Sequence, residues 1–113
     1  MKYPLKALLV KINTKEDALY PQPDRYPDGF NLTGYVWEFN FPTVNNAFYL
    51  QRSKLNCVFH TSVIQNIEDI TNTVDPQSLS KIDYPQNYKQ LLLLTTLNSR
   101  YYLFLTEVDE DNN

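Results

Sequence analysis

The most apolar stretch of the chain runs from Leu91 to Leu105, LLLLTTLNSRYYLFL, and is interrupted once, at Asn98-Ser99-Arg100. Two readings compete for it: one continuous helix over 89–106, or a hairpin bent at the interruption. The Thr95-Thr96 pair, the Tyr101-Tyr102 pair and the amide-bearing break favour the hairpin. β-Branched and aromatic residues suit a pleated surface, and Asn suits a turn. With Asn98-Ser99 as a two-residue turn, Leu91 pairs with Thr106, Leu93 with Phe104 and Thr95 with Tyr102 on one face. Leu92 with Leu105, Leu94 with Leu103 and Thr96 with Tyr101 share the other. Both faces are then apolar. Such a hairpin must be covered on both sides, so it belongs at the centre of a sandwich, a closed barrel, or a sheet beneath a helix or a second subunit. The tolerance of Asn98 for positive φ suits the bend.

The remaining pattern is mostly of period two. Leu5 to Ile12 reads as a strand with Leu5, Ala7 and Leu9 on one side and Leu8, Val10 and Ile12 on the other. Asn13 to Asp17 has the form of a helix start with Thr14 as its cap, stopped by Pro21. The segment PQPDRYPDGFN over 21–31 is a loop, because its prolines remove ladder donors and fix φ. Gly34 to Asn40 alternates, with Tyr35, Trp37 and Phe39 on one face. Phe48–Arg52 and Asn56–His60 form a second hairpin. A tight turn at Ser53-Lys54 pairs Leu50 with Cys57, Tyr49 with Val58 and Phe48 with Phe59; a longer loop fits equally well. Residues 61–70 extend that strand, with Ser62 and Ile64 opposed to Val63, Gln65 and Ile67. Residues 71–88 are polar and read as a loop, with one helical turn at Ser78–Lys81. The expected fold is mainly β, with α+β as the alternative: an antiparallel sheet, small barrel or sandwich with one or two short helices. It forms a single domain over 1–113 with an acidic flexible tail from about 107.

Composition narrows the function more than the fold. At 113 residues the chain can bury a core without a disulfide or metal staple. The net charge of −3 comes largely from Glu107, Asp109, Glu110 and Asp111, and the rest is close to neutral. No basic stripe of the kind a nucleic-acid groove needs is visible, so direct nucleic-acid binding is not expected. A single Cys excludes an intramolecular disulfide and points to a reducing, cytoplasmic setting. The apolar run at the N-terminus is too short for a signal peptide. No stretch reaches the roughly 18 apolar residues of a membrane helix.

Candidate chemistry is sparse. His60 is the only histidine, and Cys57 lies three residues before it. On a strand that spacing sends the two to opposite faces, so a nucleophile–base dyad needs a bulge. Cys57 instead reads as a small buried hydrophobe. No zinc-ligand spacing is present, and with only Gly29 and Gly34 there is no phosphate-cradling loop. Glu68-Asp69 reads as a solvated strand end. No catalytic residue, metal or cofactor is therefore expected. Binding is the stronger expectation. Tyr20, Tyr26 and Phe30 lie in or beside the Pro-rich loop, and aromatic faces with Arg25 or Arg52 can stack on a flat ligand and hold its phosphate. Arg100, beside the Asn98 turn, is the other candidate. The binding residues expected are thus Arg25, Tyr26, Phe30, Arg52, Asn98 and Arg100.

Thr61-Ser62-Val63-Ile64, followed by Thr96-Leu97-Asn98-Ser99-Arg100-Tyr101-Tyr102-Leu103, resembles a pattern of small phage- and prophage-borne β proteins, T-S-x-V/I and then T-x-N-S-x-Y-x-L. The resemblance covers the C-terminal half, and the interval over 65–95 is longer than in that pattern. It implies an origin on a virus or mobile element. It also implies a non-catalytic counter-defence role of the anti-CRISPR kind, exerted on a host protein, with possible homo-oligomers. Sequestration of a nucleotide second messenger is the alternative it implies.

Overall fold

The Leu-rich segment lies where its two apolar faces require, in the middle of a sheet. The structure, a computed structural model, describes residues 5–14, 37–52 and 58–107. Its strands are β1 (Leu5–Thr14), β2 (Trp37–Glu38), β3 (Ala47–Arg52), β4 (Val58–Asp69), β5 (Gln90–Thr96) and β6 (Ser99–Glu107). They form one antiparallel sheet in the order β1-β6-β5-β4-β3-β2, curled into a half-barrel. The expected β class is therefore correct, and β5 and β6 are the central pair.

The two faces of that pair are covered by different parts of the chain. On the concave face, Leu92, Leu94, Leu103 and Leu105 pack with Leu9 of β1, Ile64 of β4, Phe48 and Leu50 of β3, and Phe39. On the convex face, Leu91 and Phe104 pack with Leu8 and Val10 beneath the long connection between β4 and β5. That connection supplies Ile70, Val74, Leu79, Ile82, Tyr84 and Tyr88. Tyr84 stacks on Phe104 with centroids 5.2 Å apart, and Tyr88 meets the same ring edge-on at 5.4 Å. The segment read as a polar loop is thus the lid over the second face. Its helical turn is a 3-10 turn over Pro76–Leu79, two residues earlier than Ser78–Lys81. Asp75 caps it by accepting from the Gln77 N–H, and Pro76 occupies the first helical position, where no donor is needed.

The β5–β6 register differs from expectation by two residues, and the β3–β4 register is that of the longer loop and not of the tight turn. Leu92 pairs with Leu103, Leu91 with Phe104 and Thr95 with Arg100, so the turn is Leu97-Asn98 and not Asn98-Ser99. A shift of two preserves every residue's face, because side chains alternate with period two. What selects the earlier turn is Thr96. Its buried hydroxyl donates to the Ser99 carbonyl at 2.8 Å and accepts from the Ser99 N–H at 3.0 Å. Asn98 takes no positive φ; among the described non-glycine residues only Asn45 does, at 75°. In the β3–β4 hairpin Leu50 faces Phe59 and Tyr49 faces His60, which requires a loop longer than Ser53-Lys54.

Irregularities in β4 explain a third correction. Phe59, Ile64 and Ile67 all contribute to the concave core, although simple alternation would separate them. Thr61 and Ser62 both lie opposite Phe48, and Gln65 is an extra residue between the Ile64–Thr96 and Asn66–Thr95 pairs. Each bulge resets the alternation, so the apolar residues return to one face. The Thr61 hydroxyl repairs the first irregularity by accepting from the Phe48 N–H at 3.0 Å and donating to the Ser62 carbonyl at 2.7 Å. Glu107 belongs to β6, where it pairs with Leu5 across the ladder and with Lys89 by an exposed ion pair of 2.9 Å. The strand therefore extends to the residue from which a tail was expected. The helix expected from Asn13 gives way at its start to strand, since β1 runs to Thr14; the rest of that reading, over 15–20, lies outside the described residues.

Candidate binding cleft and exposed face

Beyond the reach of the lid, the convex face is open over β3 and β4. In β3, Phe48 and Leu50 point into the core while Ala47, Tyr49 and Gln51 point outward. Opposite them on β4 stand Val63, facing Ala47, and His60, facing Tyr49. The Tyr49 and His60 rings lie 5.5 Å apart and tilted at 34°. Tyr49 is 57% exposed, Val44 44% and Val63 38%, and these are the exposed large apolar residues among those described. All three fall in one region, because the turn before β3 is tied to β4 beside Val63. The Asn45 N–H donates to the Ile64 carbonyl at 2.8 Å, and the Ile64 N–H donates back to the Asn46 carbonyl at 2.9 Å. The positive φ of Asn45 is what lets the chain turn sharply enough to make both bonds.

A cleft of about 430 Å³ adjoins this face. Among the described residues β2 pairs with β3 at two positions, Trp37 with Arg52 and Glu38 with Gln51, and the cleft opens where this ladder ends. Past them, residues 39–43 run by β3 outside any strand ladder. Buried Phe39, Pro42 and Phe48 give the cleft an apolar base. Exposed Asn40, Thr43, Asn46 and Gln51 give it an amide and hydroxyl rim, and Tyr49 is shared with the open face. Phe39 and Phe48 meet edge-to-face at 6.1 Å, which fixes the base.

The region carries no Asp, Glu, Lys or Arg: none occurs over 39–51 or over 58–67, although 20% of the chain is charged. The nearest carboxylates on β4 are Glu68 and Asp69 at its far end. Asp69 is occupied there with the lid. Its carboxylate accepts from the Thr71 hydroxyl at 2.6 Å, the Thr71 N–H at 3.0 Å and the Gln90 amide at 3.0 Å. These bonds hold its pKa below the ordinary carboxylate value, the Thr71 hydroxyl contributing most.

The residues expected from sequence to bind are not gathered into one place. Arg25, Tyr26 and Phe30, with Cys57 and the aromatic Tyr35, lie outside the described residues. Arg52 ends β3 opposite Trp37. Arg100 stands on the convex face in the row Asn13–Arg100–Thr95–Asn66, and its Nη1 donates to the Asn13 Oδ1 at 3.3 Å. Arg52 lies beside the start of β4, whereas the row of Arg100 meets β4 at Asn66, toward its other end, so the two are not neighbours. The Asn98 N–H donates to the Ser62 Oγ at 3.2 Å, and the Leu97 N–H to the Val63 carbonyl at 3.0 Å. The two short motifs, Thr61–Ile64 and Thr96–Leu103, therefore meet, and their polar residues dock the hairpin tip onto β4. Residues the sequence reading passed over, Thr43, Asn46, Tyr49 and Gln51, line the cleft. Their signal was the charge-free run itself.

Among the described residues there is no cluster of three or more His, Cys, Asp or Glu that could hold a metal, and no helix is long and apolar enough to cross a membrane. Comparison with family models, with curated proteins and with solved structures gave no match in any of the three.

Proposed function

We propose that the chain is a non-catalytic binding protein that engages a partner protein through the outer face of β3 and β4 and the adjoining cleft. The observation that carries this reading is the gathering of Val44, Tyr49 and Val63, all exposed, among described residues, 39–51 and 58–67, that hold no Asp, Glu, Lys or Arg. Depletion of charge around a Tyr-centred apolar patch is the composition of a protein interface core. A phosphate-bearing ligand would need a cation, and residues 39–51 and 58–67 hold no Lys or Arg. Taken with the resemblance of the Thr61–Ile64 and Thr96–Leu103 motifs, the partner is a host defence protein met in the host cytoplasm, and the chain acts by occupying it.

The test is expression in bacteria carrying CRISPR or other nucleic-acid-targeting immunity, challenged with a targeted phage. Wild type should restore plating in a susceptible system, and Tyr49→Glu should not. Failure to restore plating in every system tried would remove the counter-defence reading. The rival, a sponge for a nucleotide messenger, is favoured by the position of Arg100 beside Tyr102 on the convex face. A thermal shift with cyclic or linear nucleotides that disappears in Arg100→Ala would put that rival in its place. Light scattering on the purified chain decides between monomer and homo-oligomer.

A further inference from the structure

We infer that the cleft beside β3 takes an extended, uncharged segment of a partner polypeptide; this deepens the binding reading above and rests on it. The shape comes from the chain path. One wall is a strand, and the other is the segment over 39–43 that has left the ladder, so the cleft runs along a strand and suits a ligand that is itself extended. A volume of about 430 Å³ lies within the range of roughly 300–1,000 Å³ typical of ligand sites. A small apolar molecule would need enclosure, yet the rim of Asn40, Thr43, Asn46 and Gln51 is exposed. Amides and hydroxyls beside an apolar base match a main chain with apolar side chains: the rim can donate to and accept from peptide groups while the half-buried Phe41 and Ala47, backed by Phe39 and Phe48, receive the side chains. The charge of the occupant follows from the same lining. A charged side chain brought into the cleft would lose water without finding an opposite charge among residues 39–51. The partner segment is therefore aliphatic, aromatic or amide-bearing.

Panning a random dodecapeptide library against the purified chain tests this. The selected sequences should be poor in Asp, Glu, Lys and Arg. Their affinity should fall about tenfold or more in Thr43→Glu and in Gln51→Lys, both exposed positions that the fold tolerates, and should stay unchanged in Asn66→Lys, an equal change of charge elsewhere on the sheet. Selection of charged sequences, no selection at all, or equal binding by the cleft variants would overturn the inference. The two readings fail separately. If Tyr49→Glu abolishes phage rescue while Thr43→Glu and Gln51→Lys leave it intact, the peptide occupant is wrong and the binding face stands. If all three retain rescue, both are wrong.

Discussion

The two halves of the sheet solve the problem of apolar side chains in opposite ways. Around β1, β6 and β5, both faces are covered, the concave one by the curl of the sheet and the convex one by the lid over 70–89. There Leu91, Leu92, Leu94, Leu103, Phe104 and Leu105 are 2% exposed or less. Around β3 and β4 only the concave face is covered, and the outer one keeps Tyr49 and Val63 in water amid neutral polar neighbours. Lys89 and Glu107 show what an ordinary solvated edge looks like, an exposed ion pair of little energetic consequence. Residues 39–51 and 58–67, which build the outer face described here, hold no Asp, Glu, Lys or Arg at all. Full burial is a folding requirement; apolar exposure without charge is not, and it is this contrast that supports the proposed contact surface.

Substitutions can break this contrast. The largest effects belong to the covered half. Leu103→Ala or Phe104→Ala should lower unfolding stability by about 2–5 kcal/mol in a urea titration, one from each face, since each leaves a cavity in a packed layer. Tyr49→Glu should change it by no more than about 0.5 kcal/mol, as surface substitutions do. A large loss from Tyr49→Glu would mean that the outer face is structural.

The junctions between the halves come next. Thr96→Val keeps the shape but removes the hydroxyl that satisfies both backbone groups of Ser99, at a cost of about 1–3 kcal/mol. Asn45→Val should cost about 1–2 kcal/mol through its left-handed backbone, whereas Asn45→Gly should not. Equal melting temperatures for the Val and Gly variants would show that the turn before β3 does not need that conformation.

The smallest effect concerns the lid. The hydrogen bonds from Thr71 and Gln90 lower the Asp69 pKa in the folded state relative to the unfolded one. The stabilisation is therefore complete above the unfolded carboxylate range and is lost as pH falls through the folded value. Asp69→Asn should lower stability slightly at neutral pH, where the carboxylate is ionised, and leave it unchanged in strong acid, so that the acid limb of a pH–stability profile becomes flatter. A steeper acid limb would contradict the assignment.

Much of the fold was legible in the residues. The doubly apolar run from Leu91 to Leu105 required a central, twice-covered hairpin, and that is its place. Period-two alternation assigned faces correctly to Leu92, Leu94, Leu103 and Leu105 but left the register free by multiples of two. The buried Thr96 hydroxyl settled it, through a local hydrogen bond that alternation does not encode. The bulges at Thr61-Ser62 and Gln65 were invisible for the same reason: β4 departs from its period where its partners change from β3 to β5. Residues 71–88 read as a loop because they are mostly polar and hold Pro76 and Pro85, and their few apolar residues, Val74, Leu79 and Ile82, follow no single period. The site was less legible. Charge and aromatic content drew attention to Arg100 and to the loop of Arg25, Tyr26 and Phe30. The cleft instead depends on a two-residue β2 diverging from β3, a tertiary event that leaves only a run of uncharged residues as its trace.

The most direct measurement of the central claim is phage rescue by the Tyr49→Glu, Val63→Glu double variant, with its melting temperature recorded alongside. If the outer face of β3 and β4 is the contact surface, rescue falls at least tenfold while the melting temperature stays that of wild type. Wild-type rescue by a folded double variant would show that the contact surface lies elsewhere.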